Sequence, residues 1–286
     1  MPAPELIRDP AAWQARCLGE RERGRRLALV PTMGFLHQGH LSLMREARSR
    51  AGSGGLSLAS IFVNPTQFGP SEDLARYPRD LDGDLAKCAS AGVDLVLAPD
   101  RPDRLYPPGF QTWVEVTQLS QGLCGARRPG HFRGVATVVA KLLNLTRPHL
   151  ALFGEKDWQQ LCVVKALSRD LDLGVEIVGM PIVREPDGLA LSSRNAYLSA
   201  AERVAARSLS RALLEARERA AAGERDAAAL AAGARRRLEE AGARVDYVEV
   251  VNGETLEPLP RAGPGSRMLV AAFVGQTRLI DNLALS

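Results

Sequence analysis

The sequence lacks several features that would have placed it early. No run approaches the roughly 18 consecutive apolar residues that a membrane-spanning helix needs, and the most apolar stretch, VATVVAKLLNL, is interrupted by Lys141. The opening MPAPELIRDPAAW has no basic segment followed by an apolar one, the pattern of a secretion signal. A cytoplasmic chain with no membrane partner is therefore expected. Cysteine is sparse, and Cys17, Cys88, Cys124 and Cys162 show none of the paired spacing of zinc sites or redox turns; four reduced thiols are expected. Lysine is scarce too. Only Lys87, Lys141, Lys156 and Lys165 appear among 37 basic residues, a bias that codon composition explains more simply than function. Nor is there an excess of one charge: 37 basic and 33 acidic side chains leave +4, too balanced for a nucleic-acid-binding surface. No nucleic-acid partner is expected. No internal repeat appears.

What is present describes a globular enzyme-sized chain. At 286 residues, 45% hydrophobic and 24% charged, it is long enough for two domains and apolar enough to bury a core in each. Short apolar runs that read as buried strands recur at Leu27–Val30, Leu56–Val63, Val93–Ala98, His149–Phe153 and Val175–Val178. Helical stretches are expected between them at Gly39–Arg50, Leu81–Ala91, Phe132–Leu145 and Asp157–Asp170. Such alternation predicts the α/β class, a Rossmann-like, doubly wound parallel sheet covered on both faces. After Glu185–Asn195 the texture turns to Ala, Arg and Glu. Ser199 followed by Glu202 is a capping box, predicting a long helix to about Ala221. A second helix over Ala227–Ala241 and the strands VDYVEVVN and RMLVAAFVG complete a smaller C-terminal α+β domain, a lid. The expected division is residues 1–183 and 184–286.

In an open parallel sheet, ligands bind beyond the carboxyl ends of the strands. The unusual loops fall there: PTMGFLHQGH after the first strand, NPTQF after the second, LYPPG beyond the third, GEKDWQQ after the fourth and PIVREPDGLALSSRN after the last. The strongest is Pro31–His40. Gly34 allows close approach of backbone to a nucleotide, and Gly39 gives the helix start the same freedom. His37 and His40 are three residues apart, so at a helix start they share a face and can point at one phosphate. The amides of that start favour an anion as well. Two imidazoles so placed can stabilise charge on an α-phosphate as pyrophosphate is displaced. The bland alternative is a pair of surface histidines capping a helix.

This HxGH segment resembles the HIGH motif of the nucleotidyltransferase superfamily. Phe62–Phe68 (FVNPTQF), Arg128–Leu142 (RPGHFRGVATVVAKL), Gly154–Leu161 (GEKDWQQL) and Leu189–Asn195 (LALSSRN) resemble the pantothenate synthetase family, in register from about Leu27 to Leu198. The resemblance implies an amide-forming ligase that condenses pantoate with β-alanine, using ATP and Mg2+, through an enzyme-bound pantoyl adenylate, in a homodimer. It implies ATP binding at Met33, Gly34, His37, Gly39, His40, Gly154, Glu155, Lys156, Asp157, Val183, Leu191, Ser192, Ser193 and Arg194. Gln67 and Gln160 match the glutamines that hold pantoate.

The residue chemistry suits those roles. Lys156 supplies a point charge on a flexible stem and Arg194 a rigid fork of donors; with Ser192 and Ser193 they would hold the β- and γ-phosphates and neutralise the leaving pyrophosphate. His37, His40, Lys156 and Arg194 are thus the expected catalytic set. For Lys156 the alternative is a salt bridge to Glu155 or Asp157, and for Asp157, suited to ribose hydroxyls, it is helix capping. Gln67 and Gln160 each donate and accept, which fits a substrate with hydroxyl and carboxylate; either is also an ordinary surface amide. Met33 and Val183 suit contact with adenine or plain core filling. Magnesium needs oxygen ligands. Asp82 and Asp84 are the candidates, of which Asp84 carries over; Gly83 stands where the family often has an acid, and a solvated helix start is the alternative. His131 is either a helix-start residue or a lining group of the second-substrate site. Thr66 and Trp158 also depart from the family's usual Met and Phe or Tyr. The competing readings are another nucleotidyltransferase, a class I aminoacyl-tRNA synthetase, and a nucleotide sensor without turnover.

Overall fold

The computed structural model describes residues 3–70 and 72–286. In chain order the elements are β1 (Glu5–Ile7), α1 (Pro10–Glu22), β2 (Leu27–Thr32), α2 (Gln38–Ala51), β3 (Leu56–Ile61), α3 (Leu81–Ser90), β4 (Leu95–Leu97), α4 (Leu123–Arg127), α5 (His131–Thr146), β5 (Leu150–Gly154), α6 (Trp158–Asp170), β6 (Glu176–Met180), α7 (Ala200–Ala206), α8 (Ser208–Ala221), α9 (Ala227–Glu240), β7 (Arg244–Asn252), β8 (Ser266–Val274) and β9 (Thr277–Ala284). Three-residue 3-10 turns at Pro65–Gln67 and Glu155–Asp157 carry two of the polar motifs.

The chain packs as two compact units. One comprises Met1–Gln121, Gly125–Glu155 and Val163–Pro181; the other comprises Gly122–Cys124, Lys156–Cys162 and Ile182–Ser286. The first holds a six-stranded sheet in the order β1-β4-β3-β2-β5-β6, every neighbouring pair parallel. Both faces of its central strands are covered: the first four residues of β2 and the first five of β3 are buried, β3 carrying the small Ser57 and Ser60 among its apolar residues. Leu29, Val30, Leu58, Val96, Leu150 and Leu152 are fully buried. This is the expected α/β fold.

Two elements of this unit lay outside the expectations. β1 spans three residues at the sheet edge and pairs with β4 alone, too short to show a period. α1 does carry a signal: Asp9 caps the amide of Ala12 and Pro10 occupies the first helical position. Its Trp13 is buried and donates from Nε1 to Thr146 Oγ1 at 2.9 Å, tying α1 to α5.

The second unit contains α7, α8 and α9 against an antiparallel sheet β7-β8-β9, with a core of Leu209, Leu213, Leu230, Leu238, Met268 and Val270 among others. The capping box at Ser199 and Glu202 is formed. The single long helix expected after it is instead α7 and α8, divided at Arg207. There the Ser210 hydroxyl takes the Arg207 carbonyl at 3.2 Å while the Arg211 amide lies at 3.4 Å, so a side chain competes with the helical ladder. The third strand was also unforeseen. β8 and β9 join through Gly275-Gln276, with Gly275 at φ +57, a two-residue hairpin turn that needs the left-handed region. Among the described residues no helix is long and apolar enough to cross a membrane, and all four cysteines are free and buried.

Candidate active site

The HxGH turn is built by its own unit from the backbone outward. At the end of β2, Thr32 Oγ1 donates to the Ser60 carbonyl of β3 at 2.8 Å and accepts from the Gly34 amide at 3.2 Å. Gly34 sits at φ +83, and a Cβ there would lie 3.0 Å from both Asp84 Oδ2 and Ile61 Cγ2. Conformation and space both require glycine. Phe35 follows at φ +49, an uncommon place for an aromatic residue. The turn is held open by Asp84, 1% exposed, whose Oδ2 accepts from the Phe35 amide and Oδ1 from the Leu36 amide, each at 2.7 Å.

Burial raises the Asp84 carboxyl above the usual carboxylate range, opposed by those two amides and by Lys87, whose Nζ is 3.9 Å away. Asp84 was the magnesium candidate; in the structure both oxygens serve main-chain amides of the turn after β2. Asp82, on the first turn of α3, is exposed. Among the described residues no group of three or more His, Cys, Asp or Glu side chains could hold a metal ion.

His37 caps α2. Its Nδ1 accepts from the Gly39 amide at 3.2 Å, and His40 Nδ1 accepts from the His37 amide at 3.3 Å, a reciprocal capping box made of two imidazoles. The rings lie 4.0 Å apart at 32°. An amide can only donate, so each Nδ1 presents its lone pair and each neutral ring carries its proton on Nε2. Capping and phosphate donation are thus compatible: one edge of each ring caps the helix, and the other bears a donor at the positive end of the helix dipole.

After β3, Asn64 and Gln67 form a buried amide pair. Asn64 Nδ2 donates to Gln67 Oε1 at 3.0 Å and to the Gly134 carbonyl at 3.2 Å, while its Oδ1 accepts from Thr66 Oγ1 at 2.9 Å. That orients Gln67 with its amino group toward Met33 Sδ, 3.3 Å away, a weak acceptor. Met33 and Gln67 are thereby brought together. Asn64 was not singled out from the sequence, although the Asn-Pro step inside FVNPTQF was the available signal.

Gly154 and Glu155 close β5 in this same unit, whereas Lys156, Asp157, Gln160, Val183, Leu191, Ser192, Ser193 and Arg194 belong to the other. Lys156 lies 3.5 Å from Asp157, so the ion pair considered from the sequence is formed. The Lys156 carbonyl accepts from Asn282 Nδ2 of β9 at 3.0 Å. Trp158 donates to the Gly253 carbonyl at 2.7 Å, and the Arg267 guanidinium lies 3.4 Å from its ring centroid. Gln159, 4% exposed, is spent on the backbone of residues 122 and 124; Gln160 beside it is half-buried.

Val183 and Leu191 face each other across a hairpin, the Leu191 amide donating to the Val183 carbonyl at 3.0 Å. Ser192 Oγ caps a 3-10 turn over Ser193–Tyr197 by accepting from the Arg194 amide at 3.2 Å. Lys156 and Ser192 line one cavity of about 10 Å³ with Asn195 and Asp281. Arg184 grips the buried Asp281 with both terminal nitrogens, at 2.6 and 3.0 Å, and fastens the hairpin to β9.

Comparison with known proteins bears directly on this arrangement. Residues 5–284 match the Pantoate-beta-alanine ligase family. The chain is similar to the pantothenate synthetase of Anaeromyxobacter dehalogenans, 72% identical over 99% of each chain, and to that of Myxococcus xanthus, 61% identical over 99% of this chain and 97% of the other. Among solved structures it is similar to pantothenate synthetase from Thermus thermophilus, with a TM-score of 0.91 at 47% identity over 98% of this chain and 99% of that one. It is also similar to the pantoate-beta-alanine ligase of Francisella tularensis complexed with beta-gamma ATP and beta-alanine, with a TM-score of 0.80 at 31% identity over 99% and 98%.

Proposed function

This chain belongs to the pantoate–β-alanine ligase family, an enzyme that joins the two substrates by an amide bond, and from that premise we propose how its residues perform the reaction. ATP enters as its magnesium complex, a substrate. The carboxylate of (R)-pantoate attacks the α-phosphorus in line, the bond to the β-phosphate oxygen breaks, and pyrophosphate leaves with the electron pair. The β-alanine amine then attacks the acyl carbon of pantoyl adenylate, AMP departs, and the amine loses its proton. Pantothenate, AMP and pyrophosphate are the products.

The observation that carries this reading is the pair of imidazoles at the start of α2. The main-chain contacts assign both Nδ1 atoms as acceptors, so both Nε2–H groups are donors suited to α-phosphate oxygens as charge builds on them. The amides of Gly34 and Gly39 add the phosphate-cradling backbone. Lys156 and Arg194, with Ser192 and Ser193, neutralise the β- and γ-phosphates and the leaving pyrophosphate. Gln67 and Gln160 hold pantoate, Asp157 the ribose, and Met33, Gly154, Glu155, Val183 and Leu191 complete the nucleotide contacts. The same reading includes a homodimer in the cytoplasm, for which a sedimentation mass near twice 30.8 kDa is the check.

The test of the whole reading is pyrophosphate release from ATP and magnesium. Pantoate-dependent pyrophosphate, with sustained AMP release only when β-alanine is added, is the expected result. Pyrophosphate or AMP release indifferent to pantoate would overturn it.

A further inference from the structure

The turn that carries Gln67 does not hold itself. Pro65–Gln67 is one 3-10 turn, with internal bonds of 3.5 Å from the Gln67 amide to the Asn64 carbonyl and 3.2 Å from the Phe68 amide to the Pro65 carbonyl. Such turns have poor hydrogen-bond geometry and leave their last carbonyls without partners from within the turn. The Gln67 carbonyl is one of these, and it is taken by a side chain from the next motif. His131 Nδ1 lies 2.8 Å from it. The other ring nitrogen, Nε2, lies 2.9 Å from Arg128 Nη1, and Arg128 is fixed by Glu72 through bonds of 2.8 and 2.5 Å. His131 is 9% exposed.

These partners leave the imidazole one protonation state. A peptide carbonyl only accepts, so Nδ1 carries a proton. A guanidinium only donates and does not lose its charge, so Nε2 presents a lone pair. The opposite tautomer would set lone pair against lone pair at Gln67 and N–H against N–H at Arg128, and an imidazolium would keep the second clash and add like-charge repulsion. We infer that His131 is a positioning residue, held as the neutral Nδ1–H tautomer by the Glu72–Arg128 pair, and that it sets the position of Gln67 for the acid substrate.

This inference rests on the reading of Gln67 as a pantoate-holding group. Asn64 orients the Gln67 side-chain amide, whereas His131 anchors the backbone beneath it. The two act on different degrees of freedom: His131 at 2.8 Å, with Arg128 Nη2 at a longer 3.4 Å, takes the carbonyl that a turn this short leaves open.

The protein has four histidines, and the other three make the opposite use of Nδ1. In His37 and His40 it accepts from main-chain amides, and in His149 it accepts from the Leu27 amide at 3.0 Å. Histidine-selective 15N NMR of the intact enzyme near neutral pH therefore reads the inference directly. One ring is expected in the Nδ1–H pattern, and its signal disappears in His131→Asn. An Nε2–H or doubly protonated His131 overturns the assignment, with no variant required to fold differently. Kinetics read its consequence: His131→Ala raises the KM for pantoate about 10-fold while the KM for ATP moves less than about 2-fold. His131→Asn, whose amide nitrogen stands close to where Nδ1 stood, recovers most of the loss. Gln67→Ala separates the two levels. If it raises the pantoate KM and His131→Ala does not, the positioning role fails alone; if Gln67→Ala leaves that KM unchanged, the role of Gln67 fails and the positioning role with it.

Discussion

Asp84 illustrates how much of a site can depend on one carboxylate that need not touch a substrate. It accepts from two consecutive amides in a turn where Phe35 holds a left-handed conformation, and an isolated αL residue of this kind persists only when its surroundings compensate the strain. Asp84→Asn keeps the size but loses one acceptor, leaving a buried amide unsatisfied. The expected cost is about 1–3 kcal/mol in urea unfolding, together with weaker ATP binding as the turn relaxes. A variant as stable as the parent, with unchanged ATP affinity, would show that the turn keeps its shape without the brace. The sequence alone identified an acid at this place and assigned it to magnesium. It could not display the two amides, because they lie 48 and 49 positions away along the chain.

Between elements, α5 comes close against the backbone of the Asn64–Gln67 turn. A Cβ on Gly134 would stand 2.4 Å from the Thr66 carbonyl oxygen and 2.7 Å from the Gln67 nitrogen, both backbone atoms that cannot swing aside. Gly134→Ala is expected to destabilise by about 1–3 kcal/mol, as overpacking of a rigid contact does, and to raise the KM for pantoate by displacing Gln67. Unchanged stability would mean that the helix slides freely. A second junction is expected to respond to pH. His149 donates its amide to the Leu27 carbonyl at 2.9 Å and accepts the Leu27 amide on Nδ1, pinning the start of β5 to β2. Partial desolvation of a ring whose residue is still exposed, then the charges of Arg21 and Arg26, hold its pKa below the ordinary 6.5. The unfolded chain then binds the proton more readily, so this contribution is present above pH 6.5 and is lost as pH falls through the depressed folded value. His149→Asn, which can still accept from Leu27 but does not titrate, is expected to flatten the acid side of the stability profile. An unaltered profile would assign the acid sensitivity to other groups.

Over the whole molecule, the proposed chemistry draws on two units with separate cores. His37, His40, Met33 and Gln67 stand on one; Lys156, Gln160, Ser192 and Arg194 stand on the other. His40→Ala is expected to lower pantoate-dependent pyrophosphate release about 100-fold, the scale of one lost transition-state donor, while moving the Kd for ATP far less. Lys156→Met should do the same from the other unit. If both act on one transition state, the double variant falls short of the product of the single losses; a full product would mean that they serve independent events. Apolar period and turn chemistry are local, and the sequence by itself determined what depends on them: the parallel α/β sheet, the positions of the polar motifs at strand ends, the capping box at Ser199 and Glu202 and the smaller α+β part. Tertiary structure decided what depends on partners distant in sequence. That includes the edge strand β1, which exists through its pairing with β4, and the third strand β9, which grips Arg184 through Asp281 and the Lys156 carbonyl through Asn282. It also includes the proton on each imidazole. A histidine in a sequence has two equivalent choices, and only the donor or acceptor that folding brings to each nitrogen selects between them.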